Sequence, residues 1–102
     1  MDNWELVQVH YNGSSLYIEP IEQIDEATLK SLFPEARVDL QNSKHTRRWL
    51  VTKFPDSNSQ HKGFWALVSH LGKAGWQPFS FSGSMSLPPF EVIVVLRRNQ
   101  QH

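Results

Sequence analysis

Phe64-Trp65-Ala66-Leu67-Val68-Ser69-His70-Leu71-Gly72-Lys73-Ala74-Gly75-Trp76, followed after a Ser/Pro-rich stretch by Phe90-Glu91-Val92-Ile93-Val94-Val95-Leu96, is the part of this chain whose reading decides its fold. Phe64, Leu67, Val68 and Leu71 recur at helical period, and Trp65 widens the stripe. With Gly75 as the left-handed residue after the helix, Leu71 and Trp76 fall where a Schellman ending makes its apolar contact. Gly72 would then allow close approach to a neighbouring strand. Gln77 to Ser82 reads as a strand with Phe79 and Phe81 on one face. Pro78 removes a ladder donor, which places that strand at an edge or marks its beginning. In the last strand Phe90, Val92, Val94 and Leu96 share one face while Ile93 and Val95 take the other. That pattern fits a central strand covered on both sides, or one face buried against a partner. The segment therefore specifies a helix packed on an antiparallel sheet.

Working outward, Glu5 to Tyr11 alternates, with Val7, Val9 and Tyr11 on one face, and Asn12-Gly13 suits a type I′ turn. A two-residue hairpin would pair Tyr11 with Ser14, Val9 with Leu16 and Val7 with Ile18. Pro20 ends the second strand. Asp25 is placed to cap a helix over Glu26 to Phe33, stapled by Ile24 and Leu29, with Leu29, Leu32 and Phe33 as its buried edge and Pro34 as its stop. Val38 and Leu40 suggest a short strand, and Arg48 to Phe54 a better one, rich in β-formers. Ser57 and Gln60 stand at capping-box spacing ahead of the second helix. The region from Ser80 to Pro89 reads as a Ser-rich loop. The order is β-β-α-(β)-β-α-β-β: an α+β fold, one compact domain over residues 1–98 with a polar tail at 99–102, mostly antiparallel sheet with two helices on one face.

A chain of 102 residues suffices for one core without staples. The absence of cysteine excludes disulfides, thiolate nucleophiles and Cys-containing metal sites, and leans towards a cytoplasmic setting. No apolar run is long enough to span a bilayer, and the acidic start Met1-Asp2-Asn3-Trp4-Glu5 lacks signal-peptide layout, so the expectation is a soluble, unprocessed chain. Asn12-Gly13-Ser14 spells a glycosylation sequon but is better explained as a turn. A net charge of zero conceals a split. Residues 1–39 carry eight acids against two bases (−6), and residues 40–102 eight bases against two acids (+6). Either a basic surface for polyanions or a dipolar self-associating molecule would follow, unless strands of both halves interleave and mix the charges.

Trp4-Glu5-Leu6-Val7 at the first strand, Leu71-Gly72-Lys73-Ala74-Gly75-Trp76 at the helix end and Leu96-Arg97-Arg98 closing the last strand together resemble the small bacterial domain of unknown function 4177. The resemblance covers about half the chain in two blocks. The sequence departs from the family pattern in the long insert Tyr11 to Gln60 and in Gln77-Pro78. It implies a fold and no activity.

Catalytic patterns are missing. Ser59-Gln60-His61-Lys62 spells S-x-x-K without its companion motifs and is better read as cap and turn. His10, His45, His61, His70 and His102 lack metal-ligand spacing, so no metal or other cofactor is expected. Glu19, Glu22, Asp25 and Glu26 gather where a helix start favours acids. Two features point to binding. Phe79, Phe81, Met85, Leu87 and Phe90 form an apolar group suited to a protein partner, itself included, although a small core could absorb them. Lys44, Arg47, Arg48, Trp49 and Lys53 combine cations with an aromatic, the ingredients of nucleic-acid contact, but a solvated turn with one core tryptophan explains them equally. The reading is a non-enzymatic protein-interaction or regulatory module, homo-oligomeric if the apolar group pairs with its own copy. The alternatives are a nucleic-acid-binding accessory protein and a small-molecule-binding domain with a pocket between the sheet and helix 64–74. No membrane partner is expected.

Overall fold

The computed structural model describes residues 4–41, 46–54, 60–84 and 90–99. Six strands form one antiparallel sheet: β1 (Trp4–Tyr11), β2 (Leu16–Glu19), β3 (Arg37–Gln41), β4 (Thr46–Val51), β5 (Gln77–Ser84) and β6 (Glu91–Asn99). Two helices, α1 (Glu26–Leu32) and α2 (Gln60–Lys73), complete the α+β fold, and a short 3₁₀ turn covers Ile21–Gln23. The spatial order is β3-β4-β2-β1-β6-β5, which puts β6 inside the sheet and leaves β3 and β5 as edges.

Alternation sorts the strands into two faces. Val7, Val9 and Tyr11 of β1, Leu16 and Ile18 of β2, Trp49 and Val51 of β4, and Val92, Val94 and Leu96 of β6 are buried together with Leu29 and Phe33 near α1 and Phe64, Leu67 and Leu71 of α2. Both helices therefore cover the same face. The other face carries no helix and shows Leu6 and Trp4, with Ile93 and Val95 only half-buried.

The α2 ending is the expected Schellman motif. Gly75 has φ +98°, Trp76 N donates to Leu71 O at 3.0 Å and Gly75 N donates to Gly72 O at 3.1 Å. Gly72 itself differs from expectation: a Cβ there would meet nothing, because the residue faces solvent and not a strand. At α1, the Asp25 carboxylate accepts from Thr28 N at 3.1 Å and from the Thr28 hydroxyl at 2.6 Å. The β1–β2 hairpin is shifted. Its register pairs Tyr11 with Leu16 and Val9 with Ile18, so the tip is Gly13-Ser14. The cause is the Asn12 side chain, whose Oδ1 accepts from the backbone N–H of both Ser14 (3.1 Å) and Ser15 (2.9 Å), a local turn that outcompetes a type I′ turn at Asn12-Gly13. Because the shift moves each partner by two residues, the apolar face is preserved. β4 begins earlier and ends sooner than the sequence suggested, and β6 runs on through Arg97, Arg98 and Asn99. The Ser57 half of the expected capping box lies outside the described residues.

Candidate protein-interaction surface

β5 is an edge strand, as Pro78 implies, but Ser80 to Ser84 belong to it and not to a loop. Ser80 pairs with Val95, Phe81 with Val94, Ser82 with Ile93, Gly83 with Val92 and Ser84 with Glu91. Burial of β6 between two neighbours draws this Ser-rich segment into the sheet despite its weak strand propensity. A bulge between Pro78 and Ser80 inserts Phe79 as an extra residue. This separates two side chains that alternation alone would place together. Phe79 lies near Arg97 on the helix-free face, whereas Phe81 stands opposite Val94 on the helix-bearing side. They are 50% and 55% exposed, respectively. Phe90, the residue before β6, is 37% exposed; Met85 and Leu87 lie outside the described residues.

Gly83 shapes the far end of this strand. Its φ is +100°, and a Cβ would collide with the Glu91 carbonyl oxygen on β6, so only glycine lets the two backbones approach this closely. Across all eight residues, Gln77-Pro78-Phe79-Ser80-Phe81-Ser82-Gly83-Ser84, there is no charge. The opposite edge, β3, carries Arg37 and Asp39.

Beside β5 the helix-free face holds an aromatic-flanked cation that pattern reading missed. The Arg97 guanidinium sits over the Trp4 ring at 4.5 Å and the Phe79 ring at 5.4 Å, and its buried Nε has no hydrogen-bond partner. Trp4 is 43% and Leu6 48% exposed. Trp4 and Leu6 share the parity opposite to Val7 and Val9, and that spacing is the sequence signal that would have found them. Arg98, one residue on, faces the other way. It donates to Glu5 at 2.9 Å, reaches the Ala74 carbonyl at 3.4 Å and stacks on Trp76 at 4.5 Å, tying the end of α2 to the sheet.

The basic candidates are dispersed. Trp49 is in the core, 6% exposed, with its Nε1 donating to the Ile21 carbonyl at 3.2 Å and the Ile24 carbonyl at 3.1 Å. It offers no ring to a base, which corrects its place in the nucleic-acid constellation. Arg48 projects from the opposite face, donating to Asp39 at 2.8 Å and stacked 3.9 Å over Tyr17. Lys53 stands 3.7 Å from Glu35, Arg47 is exposed, and Lys44 lies outside the described residues. Arg97 is no neighbour of this group: β2 and β1 intervene between β4 and β6, about 14 Å at ordinary strand spacing. Acids of the first half meet bases of the second in Glu5–Arg98, Asp39–Arg48 and Glu35–Lys53, so the sequence-level charge split is mixed by the fold.

Among the described residues no group of three or more His, Cys, Asp or Glu is placed to hold a metal ion, and no helix is long and apolar enough to cross a membrane. An open groove of about 460 Å³ lies at the end of α2 among Trp4, Ala74, Gly75, Gln77, Arg98 and Asn99, but its arginine is already engaged by Glu5.

No family model and no curated protein matches the chain. Among solved structures, the chain is similar to a conserved kinetoplastid-specific protein from Trypanosoma cruzi. The two share 15% identity over 98% of this chain and 97% of that one, with a TM-score of 0.51. At that identity the likeness shows a shared fold.

Proposed function

We propose that this protein is a non-enzymatic protein-interaction or regulatory module that binds by strand addition at β5. The observation that carries the reading is the edge strand itself: eight residues without a charge, two of them half-exposed phenylalanines. An edge strand presents an unpaired row of N–H and C=O groups, and soluble proteins ordinarily blunt such edges with charges, proline or bulges. Pro78 and the bulge guard the first residues of β5, and none of Ser80-Phe81-Ser82 brings a charge or a proline to the edge. The Trp4–Arg97–Phe79 stack continues this surface onto the helix-free face with residue types that dominate binding energetics at interfaces. An incoming strand would gain main-chain hydrogen bonds from the edge and side-chain contacts from both faces.

The experiment is recovery of the tagged protein from its native cells in nuclease-treated and untreated halves, for the wild type and for a Phe79→Lys/Phe81→Lys variant. Partners that survive nuclease and are lost from the variant support the reading. Partners lost with nuclease and retained by the variant transfer it to the basic segment around Arg47.

A further inference from the structure

We infer that the strand added to β5 is β5 of a second copy, the two chains related by a two-fold axis through Phe81; this rests on the strand-addition reading above. A two-fold interface is self-complementary, so each residue at its centre meets itself. Around Phe81 the sequence is symmetric, Ser80-Phe81-Ser82, and the structure isolates this triplet: the bulge at Phe79 bounds it on one side and Gly83, with φ +100°, on the other. An antiparallel pairing centred there sets Phe81 against Phe81 of the second copy and each Ser80 against a Ser82. Phe79, which the bulge turns to the helix-free face, lies outside this paired triplet.

The absence of charge permits this arrangement. Like charges directly opposite one another destabilise a strand pair, and a charged centre would oppose itself in a two-fold pair. β5 carries none, so no centre along it sets like charges against each other. The pairing also covers Phe81, half-exposed in the single chain, and gives it an aromatic partner.

The size of the contact sets its strength. A short regular segment with two phenylalanines per chain lies at the low end of specific interfaces, below roughly 1,200 Å² of total buried surface. A dissociation constant of roughly 10–100 µM is expected for such a weak, concentration-dependent pair.

Sedimentation velocity over a concentration series tests this on the intact chain. Wild type is expected to shift from monomer to dimer. Phe81→Glu and Phe81→Lys are each expected to remain monomeric, and their equimolar mixture to regain the dimer, because opposite charges then meet at the axis. Phe81 is exposed, so thermal unfolding checks that both variants keep the fold. A wild type that stays monomeric up to about ten times the expected constant overturns the inference. So does a dimer that both single variants retain, since another surface would then hold it. If the wild type is monomeric yet Phe81→Lys loses its nuclease-resistant partners, self-pairing fails and strand addition stands; if recovery is also unchanged, both fail.

Discussion

At the residue scale, side chains and glycines with one specific duty have the clearest consequences. Trp49 holds the 3₁₀ turn and the entry to α1 through two carbonyls, Ile21 and Ile24. Trp49→Phe keeps most of the apolar contact but leaves both acceptors unpaired, so a loss of about 1–3 kcal/mol is expected in urea unfolding. Gly83→Ala forces a Cβ into the Glu91 carbonyl at positive φ, and a loss above about 2 kcal/mol is expected by the same assay. Gly72→Ala acts in reverse. Its site is open and helical, so a gain of about 0.5–1 kcal/mol is expected. Asp25 supplies a pH signature. Hydrogen bonds from the Thr28 side chain and then its backbone hold the Asp25 carboxyl below the ordinary carboxylate value. The fold thus favours its ionised form, and the cap's contribution is complete above the unfolded value and fades as pH falls through the lowered one. Asp25→Ala is expected to melt below the wild type at neutral pH, with the gap closing on acidification below about pH 4. Of these roles the Asp25 cap was legible in sequence from local spacing, as Gly75 was at the end of α2, whereas the duties of Trp49 and Gly83 were not. The Gly72 expectation failed because nothing local tells which neighbour, if any, a helix face meets.

At the element scale, each strand was recognisable where apolar alternation met a turn, and misjudged where side-chain chemistry or a neighbour intervened. The Asn12 carbonyl oxygen moved the hairpin tip from Asn12-Gly13 to Gly13-Ser14, yet Val7, Val9 and Tyr11 stayed on the buried face because register shifts by two preserve parity. β5 was harder. The sequence reads as strand as far as Ser82, overlapping a loop from Ser80, and the ladder to β6 carries the strand on through Gly83 and Ser84; the bulge sends Phe79 and Phe81 to opposite faces. The binding candidates around them were therefore found by composition, not by geometry. Blocking this edge should leave the domain intact: Ser82→Lys on the helix-free face is expected to change the melting temperature little while abolishing self-association, read by thermal unfolding beside sedimentation.

At the scale of the whole molecule, the strand order decides what surfaces exist. β1 and β6, from opposite ends of the chain, pair along eight residues, from Trp4 with Asn99 to Tyr11 with Val92. That pairing brings Glu5 of the acidic half to Arg98 of the basic half, and His10 to within 2.8 Å of Glu91. Arg47→Glu is accordingly expected to leave low-salt titrations with single-stranded oligonucleotides unchanged, because the cations that would share the work face different ways. Local sequence by itself determined the Asp25 cap, the ending of α2 at Gly75 and which residues of β1, β2 and β6 face the core, because these depend on near neighbours in the chain. It also supplied the symmetric, uncharged Ser80-Phe81-Ser82. Pro78 left an edge as one of two readings for β5, and the strand order chose it; only the tertiary structure decided that Trp49 is sealed inside and that Arg97 rests between Trp4 and Phe79. Those facts depend on which strands pair across the length of the chain, a choice made by burying one shared apolar face and not by any local propensity.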